Sequence, residues 1–164
     1  MRMTFQRMGD RRPVETLVER DDGVVFAMRG AGGGAELPHD LVHAVVETAL
    51  PLPDGIWGCV ADGVVWGSMR HVSGRRPPHS AERSERLKRE RRDAVMRAEA
   101  IADVVARRAR GEQVPPGAVV GIPEPRIDAA VDAVRDAARR WAALPVGERW
   151  VVEWVAPRAA GRRR

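Results

Sequence analysis

The chain has 164 residues, a formal net charge of +5 and a pI near 10.9, with 44% hydrophobic residues. That length suits one domain, or one domain with an appendage, and is enough to bury a real core. No apolar run approaches the ~20 residues of a helical bilayer span, so a cytoplasmic protein with no membrane partner is expected.

The start of the chain carries Arg2, Arg7 and Arg11 with no apolar stretch between them, so it does not read as a secretory signal. Cys59 is the single cysteine, which rules out an internal disulfide and agrees with a reducing compartment. A basic balance ordinarily points to an acidic partner such as nucleic acid. Here Lys88 is the only lysine, asparagine and tyrosine are absent, and Ala, Gly, Pro and Arg abound. Those abundant residues have GC-rich codons, so a GC-rich genome produces the same bias without any selection for binding.

From Met3 to Arg29 the pattern is that of strands. Val14, Thr16 and Val18 alternate with Glu15, Leu17 and Glu19, and Val24 to Met28 is a second β-prone run. Asp21-Asp22-Gly23 between them supplies a tight hairpin turn. Thr4 to Met8 adds a third strand, expected at the edge. Because these strands form an antiparallel meander, Gly30-Ala31-Gly32-Gly33-Gly34 reads as a connector rather than a phosphate-cradling loop. Position 35 is alanine where the dinucleotide fingerprint spaces its third glycine, and Glu36 places negative charge where a phosphate would lie.

Pro38 suits a helix start, and a helix is expected over Pro38 to Leu50 with Leu41, Val42, Val45, Val46, Ala49 and Leu50 on one apolar face. His39, His43 and Glu47 follow at i, i+4 and i+8, a stripe on the border between that face and solvent. His39-Asp40-Leu41-Val42-His43 is H-D-x-x-H, one methylene from the H-E-x-x-H pair that holds zinc with its acid as base. The metal reading takes His39, His43 and Glu47 as ligands of a divalent ion such as zinc, with Asp40 as catalytic base. Cys59, Asp62, His71 and His79 stand as further ligand candidates. The alternative reading has His39 and Asp40 cap the helix while His43 bonds a neighbouring loop.

The block from Glu36 to Glu47, followed by Gly55 to Gly58, resembles one in small uncharacterised bacterial proteins that share L-P-H-D-L-V-H and G-x-W-G in this order. The resemblance covers about a fifth of the chain and implies no activity.

Pro51 to Gly55 breaks the helix, and Ile56 to Trp66 is either a second short helix or an irregular apolar segment, since Gly58, Gly63 and Gly67 weaken the helical pattern. Arg70 to Ser80 has turn formers and almost no apolar residue, so residues 70–80 are expected to be a linker or mobile loop. A long helix is predicted from Ser80 to Arg110. Its first half is charged, with Leu87 alone apolar, and its second half has a seam of Ala94, Ala98, Ile101 and Val105. In the first half Arg83, Arg86, Lys88, Arg89, Arg91 and Arg92 outnumber Glu82, Glu85, Glu90 and Asp93. Mixed signs at i, i+3 and i+4 pair mostly with each other.

Pro123 and Pro125 introduce a last helix with Ile127, Ala130, Val131, Val134, Ala138 and Trp141 in a stripe. Trp150, Val152 and Trp154 then alternate as a closing strand, expected to join the N-terminal meander with the preceding helix as its cover. The Arg162-Arg163-Arg164 tail is expected to be disordered.

The architecture so predicted is α+β: a small antiparallel sheet, an N-terminal meander plus the C-terminal strand, covered by a helical hairpin and two longer amphipathic helices. Residues 1–69 carry the hairpin and the histidine helix, residues 81–156 the helical pair and closing strand, and residues 157–164 the tail. Three functional classes follow. One is a binding or regulatory protein without catalytic activity, with the 81–111 helix as the surface for a protein partner or homo-oligomer. The second is a divalent-metal-binding protein or hydrolase built on the H-D-x-x-H stripe. The third is nucleic-acid binding through the Arg-rich helix.

Overall fold

The computed structural model describes residues 1–9, 12–30, 34–115 and 117–155. It is an α+β fold whose elements run β1 (Arg2–Gln6), β2 (Glu15–Glu19), β3 (Val25–Arg29), α1 (His39–Ala49), α2 (Ile56–Ala61), β4 (Met69–Ser73), α3 (Ser80–Glu90), α4 (Arg92–Ala109), α5 (Glu124–Ala143) and β5 (Arg149–Glu153). The strands form one sheet in the order β4-β3-β2-β1-β5, every neighbour antiparallel. Both expected glycine-rich and arginine-rich features fall partly or wholly elsewhere: residues 31–33 of the glycine loop and the 157–164 tail lie outside the described residues.

Alternation decides which side of each strand is covered. Met3 stands opposite Val18 and Val152, Phe5 opposite Thr16 and Trp150, and Val18 opposite Phe26. Met3, Phe5, Val14, Thr16, Val18 and Phe26 are all buried, whereas Arg2, Glu15, Arg29, Arg70, Val151 and Glu153 are exposed. The closing strand pairs with β1 and so ties the two ends of the described chain into one sheet. This also moves β1 from the expected edge to an interior position, between β2 and β5.

Residues 70–80 are not all loop. Met69 to Ser73 add the edge strand β4 to β3, with an irregularity between Val25 and Phe26. An edge strand is held by its backbone and needs few apolar side chains. Only Met69 of this strand is buried, so hydrophobic patterning had almost nothing to detect.

The predicted long helix is broken at Arg91, whose backbone (φ −105°, ψ 10°) leaves the helical region. Each half has its own partner. Leu87 of α3 packs with Cys59 and Val64, and the Ser84 hydroxyl accepts a hydrogen bond from the Val65 N–H at 2.9 Å. α4 instead lays Ile101, Ala102 and Val105 against α1 and α5. Arg91 secures the junction, its guanidinium 2.6 Å from Asp62 and 3.3 Å from Asp54.

The molecule therefore has two main cores with α1 between them. Toward the sheet, α1 presents Leu41 and Ala44 to a cluster holding Met3, Phe5, Phe26, Trp57, Trp141 and Trp154. Away from it, Val42 and Val46 meet Ile101, Val105, Ile127 and Val134. With both sides of α1 covered, two of the three expected border residues, His43 and Glu47, are buried, and only His39 at the start of the helix stays exposed.

Trp154 sits one residue beyond β5, with 3% of its surface exposed, and its N–H donates to the Met1 carbonyl at 2.8 Å. Trp141 shares its core, while Val134, expected beside it, belongs to the other one. Trp150 is only partly buried, its ring lying 4.1 Å beneath the Arg140 guanidinium. Trp154→Ala is predicted to cost ~3–5 kcal/mol in denaturant unfolding, the range for a large buried aromatic. A change within ~0.5 kcal/mol of the parent would contradict the packing described here.

Candidate metal centre

α1 begins at Pro38, whose carbonyl accepts the N–H groups of Leu41 and Val42, so His39 is the first helical residue. Four residues on, His43 falls on the same face one turn later. The two rings meet edge to face with centroids 4.6 Å apart and their Nε2 atoms 3.1 Å apart. Glu99 reaches in from α4, placing Oε2 3.1 Å from His43 Nε2 and 3.6 Å from His39 Nε2. Ligand atoms about 2.0–2.1 Å from a tetrahedral ion lie about 3.3–3.4 Å from one another. The three observed separations bracket that spacing. His43 is buried (2% exposed side chain), whereas His39 and Glu99 are about half exposed (54% and 47%), so the convergence point has a protein side and a solvent side.

Glu47, expected as the third ligand, does something else. Its Oε1 accepts from the Ile56 N–H at 2.7 Å, and its Oε2 accepts from Trp57 at 3.0 Å and Gly58 at 3.4 Å. A carboxylate is well placed at the open N–H groups of a helix start. The approach is close. A Cβ on Gly55 would stand 2.5 Å from the Glu47 carboxyl carbon, and one on Gly58 would run into the Pro53 carbonyl. Gly55 thus lets the first turn of α2 close on Glu47, and Gly58, one of the glycines that weakened the helical pattern in the sequence, makes room for the Pro53 carbonyl. From this position Glu47 also faces His43 from behind, Oε1 3.6 Å from Nδ1, beyond hydrogen-bond length but within reach of charge attraction. Glu47 on Nδ1 leaves His43 Nε2 directed at His39 and Glu99.

Asp40, the expected base, does not join the three convergent groups. Its carboxylate fills the space beside Gly30 that a Cβ there would need. Asp40 Oδ2 is buried without a hydrogen-bond partner among the described residues, and burial pushes its carboxyl above the usual range. The other sequence candidates lie elsewhere: Cys59 is buried with its thiol 3.6 Å from the Asp54 carbonyl, Asp62 pairs with Arg91, His71 meets Phe26 edge to face, and His79 stands beside Glu82. Glu99 escaped the sequence reading altogether. It lies next to Ala98 of the α4 seam and 56 residues from His43, so only helix packing brings it to the site.

Charge in this cluster is strongly coupled. Burial opposes a proton on His43, but Glu47 and Glu99, on its two nitrogens, outweigh it and push the imidazole pKa up to about 9. The same contact with His43 holds the Glu99 carboxyl below its usual range, against the effect of burial. Without a bound cation, the arrangement is an imidazolium between two carboxylates. With one, both Nε2 lone pairs and Glu99 Oε2 can face a single point.

His39 and Glu99 also line a cavity of about 720 Å³ between α1 and α4. A separate cavity of about 330 Å³, lined by Leu50, Pro53, Ala98 and Ile122 among others, contains none of the three convergent groups. No helix among the described residues is long and apolar enough to cross a membrane. Compared with known proteins, the chain matches no family model, no curated protein and no solved structure.

Two predictions come from this geometry. A histidine whose pKa is raised on folding binds more protons in the folded state, so its contribution is fully present below the unfolded value of about 6.5. It is lost as pH rises through the folded value of about 9. Metal-free protein is therefore expected to lose stability between pH ~6.5 and ~9, and His43→Gln to flatten that slope in denaturant melts. An unchanged slope in His43→Gln would show that His43 is not the group responsible. Glu47→Ala strands three N–H groups at the buried start of α2 and is expected to cost on the order of 3–5 kcal/mol, with Glu47→Gln milder because it keeps an acceptor. Equal unfolding midpoints for Glu47→Ala and the parent would contradict this role.

Proposed function

We propose that this protein binds a divalent transition-metal ion through His39, His43 and Glu99. The observation that carries the reading is the convergence of His39 Nε2, His43 Nε2 and Glu99 Oε2, drawn from two helices, within 4.8 Å of one another. Two imidazoles and one carboxylate suit zinc and neighbouring borderline metals better than calcium or magnesium, which prefer all-oxygen sites. Glu47 fits the part of the outer carboxylate that orients a ligating histidine through its second nitrogen. Three protein ligands leave at least one position for water or another ligand, on the side where His39 and Glu99 are exposed. A hydrolytic role with Asp40 as base gains nothing from the geometry, because the Asp40 carboxylate is turned to Gly30.

Nucleic-acid binding through α3 is less well supported. Arg91 is turned inward to Asp54 and Asp62, and Arg86 and Lys88 face Glu90 and Glu85. Two of the four cations of α3, Arg86 and Lys88, are thus answered by acids of the same helix, and Arg91 at the junction is answered by Asp54 and Asp62.

Elemental analysis of protein purified without a metal-binding tag tests the reading. Near-stoichiometric zinc, or stoichiometric uptake of Zn²⁺ or Co²⁺ by the metal-free chain, is expected. His43→Ala and Glu99→Gln should each weaken that uptake by at least ~100-fold, and Glu47→Gln by ~10–100-fold. Negligible metal in the parent after reconstitution, or uptake that the His43 and Glu99 substitutions leave unchanged, would retire it.

A further inference from the structure

We infer that the open side of this metal centre receives an amphipathic monocarboxylate, its carboxylate on the metal and its apolar chain along the seam of α1, α4 and α5. The inference rests on the metal-binding reading above.

The cavity that exposes His39 and Glu99 has an apolar floor of Leu37, Val42, Ala102 and Ala106. A second cavity of about 480 Å³ shares Leu37, Val42 and Ala106 with it and continues to Val134 and Ala138 on α5. The shared residues place the two spaces side by side along the second core, the first of them opening on His39 and Glu99. Val42, Ala102 and Val134 at their base are buried, while the charged groups that line them, Glu36, Asp103, Arg110, Arg135 and Arg139, are exposed. The base of this groove therefore rewards an apolar chain, and its charges stay in water.

Charge selects the head group. Two neutral imidazoles and the Glu99 carboxylate leave a divalent ion one positive charge, partly offset by Glu47 behind His43. The ion still acts as a Lewis acid whose vacant position takes an oxygen donor, Arg110 lines the same cavity, and an ammonium has no lone pair to offer. An acid with a short chain would gain only this bond. One with a longer chain also moves its own methylenes out of water against the apolar side chains at the base of the groove.

The test uses the full chain loaded with Co²⁺, whose visible absorption changes when an inner ligand is exchanged, titrated with acetate, butyrate, hexanoate and octanoate. Affinity is expected to rise with length, by about threefold to fourfold for each methylene fully buried. Ala106→Phe, which fills the groove, should abolish the dependence on length while retaining cobalt. Ala138→Phe, farther along, should abolish it only for the longest acids and serves if the first variant fails to fold. Equal affinity for acetate and octanoate in cobalt-loaded protein would overturn the groove assignment and leave the metal reading standing. Failure of the parent to take up cobalt at all would overturn both, and the cobalt content distinguishes the two results.

Discussion

The buried carboxylate of Glu47 is the constraint on which the rest of this structure depends. A fully enclosed carboxylate survives only if its charge is answered by donors, and here the answer comes from the first turn of α2 and, at greater distance, from His43. Satisfying it fixes three things together. The Pro51 to Gly55 turn must return the chain onto α1, glycine must occupy positions 55 and 58 where backbone and carboxylate approach closely, and the His43 ring must keep Nδ1 toward Glu47. The remaining nitrogen then faces outward to His39 and Glu99.

That arrangement is possible because α1 is shared by two cores. A helix lying on a sheet with water behind it would leave His43 half solvated, where its charge would matter little. With α4 and α5 closing the far side, His43 is enclosed, its proton affinity is set by two carboxylates, and Glu99 is delivered to it by the packing of Ile101, Ala102 and Val105. The break at Arg91 belongs to the same geometry. It lets α3 stay on α2 through Leu87 and Ser84 while α4 turns to α1, which one straight helix could not do.

Polar groups that serve folding and polar groups that offer chemistry are thus neighbours on one helix but physically distinct. Glu47 spends its oxygens on backbone donors and has none free to bind an ion. Asp40 keeps an oxygen that has no hydrogen-bond partner among the described residues, but its carboxylate is turned to Gly30. His39 and Glu99, the half-exposed pair, are the ones that face both solvent and the groove.

Where one face of an element is buried and the other wet, local sequence was enough. The alternation of Val14, Thr16 and Val18, the α5 stripe from Ile127 to Trp141, and the i, i+4 histidines all follow from the repeat of a strand or helix, and with them the α+β class and the closure of the sheet by β5. Local sequence could not supply β4, because edge pairing is a backbone interaction that leaves Arg70, His71 and Val72 exposed. It could not supply the break at Arg91, where the two halves turn to partners from distant parts of the chain and the guanidinium pairs with Asp54 and Asp62. Above all, it could not exchange Glu47 for Glu99. Both acids are at ordinary helical positions, and only the packing of α2 and α4 around α1 decides which carboxylate is consumed by backbone N–H groups and which is left beside the two histidines.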